Sequence, residues 1–183
     1  MFPFAVGGHA VLFREKPTAD RLMDHIEKFR ATVLTNVPAM IRQMLDAERD
    51  SDLSTIRICL SAGEALPADL GQRFTAHFGV EIIDGIGSTE MLHIYVSNIP
   101  GKVRYGTTGW PVPGYDVELR DDDGLPVPDS ETGDLFVRGP SAALLYWGNR
   151  EKTRETFQGA WTKSGDKYVR NTDGTYTYSG RSD

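Results

Sequence analysis

Ser61–Glu90, SAGEALPADLGQRFTAHFGVEIIDGIGSTE, holds the unit on which the fold class turns. Ile56–Leu60, just before it, is short and apolar and reads as a strand. Ser61–Ala65 is a small-residue turn. Pro67 suits the first turn of a helix whose apolar side is Leu70, Phe74 and Phe78 and whose end is Gly79. Val80–Asp84 is again a strand, and Gly85–Glu90 a second small-residue loop. A strand, a helix and a strand in so few residues make a parallel pair with a helical crossover.

The same rhythm extends upstream. Thr18–Arg30 places Leu22, Met23, Ile26 and Phe29 at helical spacing, with acidic residues early and Lys28 and Arg30 late. Ala31–Asn36 reads as a β-branched strand. Pro38 opens a helix with Met40, Ile41, Met44 and Leu45 on one face. The N-terminal MFPFAVGGHAVLF is apolar but lacks a basic leader region and a cleavage site, and is expected to be core. Downstream the pattern changes near Gly106 to short strands, Tyr115–Arg120, Asp134–Arg138, Lys167–Arg170 and Thr175–Ser179, interrupted by one helix, Arg150–Phe157. Turn signals are Asp123-Gly124, Thr132-Gly133 and Asp173-Gly174. The fold class is α/β: a parallel-sheet α/β layer over residues 1–108, then a small antiparallel β-rich subdomain over 109–183. Trp110, Trp147 and Trp161 are expected to anchor the packing of that second half.

Composition limits the function classes. Of 183 residues, 39% are hydrophobic, enough for a globular core. The 20 basic and 26 acidic residues give a net charge of −6 without a clustered basic face, so no nucleic-acid partner is expected. No apolar run reaches the ~20 residues of a membrane span. Cys59 is the single cysteine, which excludes an intrachain disulfide and fits a cytoplasmic location. Both ends fall in strand-like or apolar text, as expected of a fragment of a longer protein.

In α/β sheets, ligands collect outside the carboxyl ends of the strands. Two strand ends here run into small-residue loops, Ser61–Ala65 and Gly85–Glu90. Such loops let backbone approach a flat ring or a phosphate closely. Ser88 and Thr89 offer hydroxyl donors to phosphate oxygens, and Glu90 is a hard oxygen ligand suited to Mg²⁺. Read locally, the same residues are equally a helix N-terminus, Ser88 or Thr89 capping it and Glu90 favouring its positive end. The GIG triplet lacks the dinucleotide-binding GxGxxG spacing, and no Walker A loop occurs. Asp166, in Ser164-Gly165-Asp166, is locally a turn aspartate. His93 is locally a satisfied helix histidine. His9, His25 and His77 have no evident partner.

DGIGSTE, with SAGEALP upstream and SGD and GRSD downstream, resembles the adenylate-forming superfamily of acyl-CoA synthetases, peptide-synthetase adenylation domains and luciferases. SAGEALPADLGQRFTAHFGVEIIDGIGSTEMLHIYVSN is similar to its benzoate-CoA ligase branch. The resemblance covers essentially the whole chain, with its four motifs in family order and at roughly family spacing. The resemblance implies part of the acyl-CoA synthetase fold, the large N-terminal domain up to its hinge. It also implies the use of ATP/AMP, Mg²⁺ and CoA in making the CoA ester of an aromatic carboxylic acid, chemistry of aromatic degradation.

By that resemblance, Thr89 and Glu90 are catalytic, Thr89 on the adenylate phosphate and Glu90 also on the metal. Gly63, Glu64 and Ala65 line one face of the adenine; Asp84, Gly85 and Ile86 line the other side and its exocyclic amine, with Gly87 and Ser88 completing that stretch. Ile86 stands where many relatives carry an aromatic, so apolar contact replaces ring stacking. Asp166 holds the ribose hydroxyls and Arg181 reaches ribose or phosphate; Ser164 replaces the usual threonine and keeps its hydroxyl. Ala62 and Gly87, with His93 and Ile94 on the helix after Glu90, form the acyl pocket. Asp183 is the hinge to a missing C-terminal domain. The family's triphosphate loop and its C-terminal lysine do not occur in this sequence, so the chain alone is expected to lack ligase turnover. Two other readings stand beside this: an adenylation domain that loads a carrier protein, and an inactive fragment that only binds nucleotide.

Overall fold

The structure, a computed structural model, describes residues 2–47 and 49–182; the hinge assigned to Asp183 lies outside the described residues. A single turn, α1 (Phe2–Ala5), opens the chain. The apolar stretch around it is not core: Phe4, Val6 and Leu12 are 68%, 85% and 88% exposed. The turn closes on itself, Gly8 N–H donating to the Pro3 carbonyl over 2.6 Å, instead of joining the sheet.

α2 (Ala19–Phe29) begins where the Thr18 hydroxyl accepts the Arg21 N–H, and ends at Arg30 in the left-handed region. β1 (Val33–Asn36), α3 (Pro38–Asp46), β2 (Ile58–Ser61), α4 (Ala68–Phe78) and β3 (Ile82–Gly87) follow. Gly79, at φ 70°, ends α4. Met23, Ile41, Met44, Leu70, Phe74 and Ile82 are fully buried between these helices and the sheet. Each such side chain contributes about 1.5–3 kcal/mol of transfer free energy.

The sheet is mixed, not wholly parallel. Its order is β1-β2-β3-β4-β5, with β4 (Ile94–Ser97) and β5 (Trp110–Pro111). β1, β2 and β3 are parallel, and β4 returns antiparallel on β3. The parallel register sets Asn36, Ser61 and Asp84 side by side at the carboxyl edge. β3 continues through Gly85–Gly87, which the sequence reads as loop. The cause is close approach of β4: a Cβ on Gly87 would meet the Ile94 nitrogen at 2.7 Å. His93 and Ile94 therefore lie on a turn and a strand, not on a helix. Only a three-residue 3₁₀ turn, Thr89–Met91, intervenes, stopped by Leu92 at φ 72°.

The second sheet is antiparallel, β6 (Asp116–Arg120), β7 (Thr132–Arg138), β9 (Trp161–Arg170) and β10 (Tyr176–Arg181), in the order β10-β9-β7-β6. A short β8 (Phe157–Gln158) pairs with β9 after α5 (Arg150–Thr156). Its core joins Leu119, Leu135, Val137, Tyr168 and Tyr176 to Met91, Tyr95 and Val96. A bridge between Gly109 and Tyr176 also ties the two sheets together. Trp147 is no anchor: it is 96% exposed at the end of a turn-rich segment. Among the described residues, no helix is long and apolar enough to cross a membrane.

Candidate active site

A cleft of about 400 Å³ lies at the carboxyl edge of β2 and β3, closed by the second sheet. Gly63, Glu64 and Ala65 line it from the loop after β2, and Asp84, Gly85, Ile86 and Gly87 from β3. Asp166 and Tyr168 on β9 and Tyr178 and Arg181 on β10 line it from across, with Thr108 from the connection. Nine residues singled out from the sequence thus share one cleft. Three were missed: Thr108, Tyr168 and Tyr178. For two of these a signal exists. Tyr168 lies two residues beyond Asp166 on the same strand, and Tyr178 is its cross-strand partner. Their rings meet edge to face at 5.5 Å. A wider depression over Leu45, Arg73, Ala76 and His77 lies on α3 and α4 and gathers none of the named residues.

Asp84 is the buried carboxyl of the cleft, 5% exposed. Burial lifts its carboxyl to about 7, although Ser61 and the Leu66 and Gly85 N–H groups pull the other way. Ser61 is near enough to act on the carboxyl, yet no bond between them closes. Asp84 Oδ1 and Ser61 Oγ are both buried without a hydrogen-bond partner among the described residues. A buried acceptor left open at the edge of a cleft is a group awaiting a donor.

Asp166 is not in a hairpin turn but within β9, where Gly165 adopts φ 84°. Ser164 Oγ accepts the Asp166 N–H at 3.1 Å, and Arg181 Nη1 lies 3.2 Å from Asp166 Oδ1. The end of β10 is fixed by Ser182, whose N–H donates to the Gly165 carbonyl and whose hydroxyl donates to Asp134 Oδ1 over 2.6 Å. Asp134 is held ionised against its burial by Lys163, whose Nζ is 2.6 Å away, and by Ser182 and Lys167.

Ser88, Thr89 and Glu90 follow directly on β3, beyond the residues that line the cleft. The capping alternative does not hold. Ser88 makes no side-chain cap bond, and the turn after it is three residues long. Thr89 is exposed and Glu90 half-buried. Burial raises the Glu90 carboxyl, but hydrogen bonds from Tyr146, its own backbone and Ser88, with the nearby Lys152 charge, bring it below the usual range. Glu90 is therefore ionised at neutral pH. Among the described residues, no cluster of three His, Cys, Asp or Glu could hold a metal. One ionised carboxylate beside hydroxyls fits a hard cation that takes its remaining ligands from phosphate and water.

Gly87, His93 and Ile94 meet where β3 pairs with β4, Gly87 opposite Ile94. His93 Nδ1 is 2.7 Å from the Ile94 carbonyl, and Nε2 is 3.4 Å from Tyr115 Oη. Ala62 is half-buried just past β2, its N–H donating to the Asn36 carbonyl. His9 and His77 are exposed, and His25 sits between the Phe13 and Phe29 rings.

The family model described as AMP-binding enzyme matches residues 1–147. The chain is 49% identical to a benzoate–CoA ligase of Thauera aromatica, over 100% of the chain and 35% of that protein. It is 46% identical to a 4-hydroxybenzoate–CoA/benzoate–CoA ligase of Rhodopseudomonas palustris, over 99% of the chain and 34% of that protein. A crystal structure of a benzoate CoA ligase from Burkholderia xenovorans LB400 superposes with a TM-score of 0.95 at 56% identity, covering 98% of this chain and 37% of that one. The chain thus spans about a third of the length of the curated relatives it matches.

Proposed function

The chain belongs to the AMP-binding enzyme family, and from that premise we propose that the full-length protein is an ATP-dependent aromatic acid–CoA ligase of the benzoate type. The substrate carboxylate attacks the α-phosphorus of ATP and pyrophosphate leaves. The CoA thiol then attacks the acyl carbon of the adenylate, and AMP leaves. What supports this reading most is the convergence of Asp84, Asp166 and Arg181 with two small-residue backbone segments on one cleft.

In this reading the chain positions the nucleotide and neutralises charge; it provides no nucleophile. Backbone at Gly63–Ala65 and the Ile86 side chain take the two sides of the adenine. The open Oδ1 of Asp84 accepts from the exocyclic amine. Asp166 accepts from the vicinal ribose hydroxyls, and Arg181 offers its planar fork to ribose or phosphate. Thr89 donates to the α-phosphate. Magnesium held by Glu90 would neutralise phosphate charge. Gly87, His93, Ile94 and Ala62 surround the ring of the acid.

The test is benzoate-dependent exchange of pyrophosphate into ATP by the purified full-length protein, with mass detection of the CoA ester. Exchange with no benzoate, hydroxybenzoate or aminobenzoate would sink the substrate class. Transfer to a phosphopantetheinyl carrier in preference to free CoA would move the assignment to a carrier-loading domain. The 183-residue chain by itself is expected to make no acyl-CoA, and detection of that product would overturn the division of labour proposed here.

A further inference from the structure

The connection between β7 and α5, residues 139–149, has no role in the reaction as proposed, yet it grips the segment that carries Glu90. The Ala143 N–H donates to the Glu90 carbonyl over 2.7 Å. Ser141 Oγ donates to the Met91 carbonyl over 2.7 Å and lies 2.6 Å from Tyr115 Oη. Tyr146 Oη donates to Glu90 Oε1 over 2.5 Å.

Tyr146 is itself fixed from behind. Its N–H donates to Thr153 Oγ1 at 3.0 Å, and its carbonyl accepts the Asn149 N–H at 3.2 Å, both at the start of α5. Its ring lies 5.6 Å from that of Phe157. Burial of an apolar segment does not account for this arrangement. Leu144 and Trp147, on either side, are 90% and 96% exposed, and of this apolar run it is the tyrosine that turns inward.

We infer that Tyr146 is a positioning residue for the metal-ligating carboxylate: its hydroxyl occupies Glu90 Oε1, so that Glu90 meets the cation through its other oxygen in a single rotamer. A small, strictly octahedral cation that keeps several waters gains most from one oriented oxygen. Partners that orient a ligating group typically carry ten- to hundredfold in metal affinity. The inference rests on Glu90 being the magnesium ligand.

The test uses the full-length protein with Tyr146→Phe, which keeps the ring and removes the hydroxyl, and Glu90→Gln. Mn²⁺ binding to the complex with a non-hydrolysable ATP analogue is followed by electron paramagnetic resonance, and Mg²⁺ dependence by pyrophosphate exchange. Tyr146→Phe should weaken Mn²⁺ and raise the half-saturating Mg²⁺ by about tenfold. Added Mg²⁺ should recover most of the lost exchange, while the KM for benzoate and the melting temperature move little. In the Glu90→Gln background, Tyr146→Phe should add no further shift. Parental Mn²⁺ affinity in Tyr146→Phe overturns the inference, as does a lowered melting temperature with an activity loss that Mg²⁺ does not rescue. If Glu90→Gln weakens Mn²⁺ and Tyr146→Phe does not, the inference alone falls. If Glu90→Gln leaves Mn²⁺ unchanged, the ligand assignment falls and takes the inference with it.

Discussion

Replacing Asp84 by Asn separates the cost of a buried charge from the shape of the cleft. Burial holds this carboxyl at about 7 in the folded protein against 3.8 when unfolded. A folded acid with a raised pKa binds its proton more tightly than the unfolded chain does. Its contribution to stability is therefore fullest below pH 3.8, declines as pH rises, and is gone above about 7. The whole interval corresponds to about 4 kcal/mol, at roughly 1.4 kcal/mol per pH unit. Between pH 5 and pH 8 the linkage integral leaves about 2–3 kcal/mol. Asparagine carries no such term. Its amide hydrogens need acceptors, and the unpartnered Ser61 Oγ supplies one; an unsatisfied hydrogen costs about 1–3 kcal/mol. That penalty is the same at both pH values, so the slope is diagnostic where the offset is not. The stability difference between Asp84→Asn and parent, from urea denaturation, should grow by about 2–3 kcal/mol from pH 5 to pH 8, or roughly 5–10 °C in melting temperature. AMP affinity should rise about tenfold from pH 6 to pH 8 in the parent relative to the variant, because only the ionised carboxyl accepts from the amine without first losing a proton. Parallel stability curves for the two proteins across this range would refute the claim that a desolvated carboxyl sits at the base of the cleft.

Gly87→Ala should lower stability by about 1–3 kcal/mol, read as a fall in melting temperature, because the new Cβ meets backbone of His93 and Ile94 that cannot move without shifting β4. An unchanged melting temperature would contradict the close pairing of β3 and β4. Glu90→Ala should reduce magnesium-dependent pyrophosphate exchange about ten- to hundredfold while costing under about 2 kcal/mol of stability, as one charged hydrogen bond at a half-buried site is lost. Equal loss of folding and exchange would instead make Glu90 a structural residue. Cys59 is fully buried and its thiol is pushed up to about 12, so a thiol reagent at pH 8 should modify it only through unfolding, with a rate that tracks urea. Prompt labelling of the native protein would place β2 at the surface.

The sequence made legible those elements whose signals are local. The helical spacing of Leu22, Met23 and Ile26, that of Leu70 and Phe74, and Gly79 as a stop act within a few helical turns, and α2 and α4 formed where those signals lie. DGIGSTE did not read correctly on its own, because its conformation is decided at a distance. Gly85 and Gly87 look like strand breakers, whereas the structure uses their missing side chains to admit Ile94 and Val96 of β4. Exposure of the N-terminal apolar stretch and of Trp147 is likewise non-local, since hydrophobicity gives a tendency to be covered and not the surface that covers.

The cleft was legible for a different reason. Most of its residues belong to motifs recognisable by resemblance, while its unforeseen members follow from strand geometry. Tyr178 lines the cleft because it pairs with Tyr168, and Tyr168 because it alternates with Asp166. The register shift of β9 against β7 between Lys163 and Lys167, where Gly165 takes its positive φ, and the Ser182 bonds to Gly165 and Asp134 then set Asp166 and Arg181 facing each other. Two sheets thus contribute complementary halves of one site. The first brings backbone segments and a buried acceptor at parallel strand ends, and the second brings a carboxylate, a guanidinium and two aromatic rings across an antiparallel pair. Neither half alone makes the cleft, so a substitution that weakens the contact between the sheets, at Tyr95 or Tyr176 in their shared core, should act on the site through the lining residues that core supports: Tyr168 and Ile86 pack in the same cluster, and the Thr108 N–H donates to the Tyr176 carbonyl over 2.8 Å.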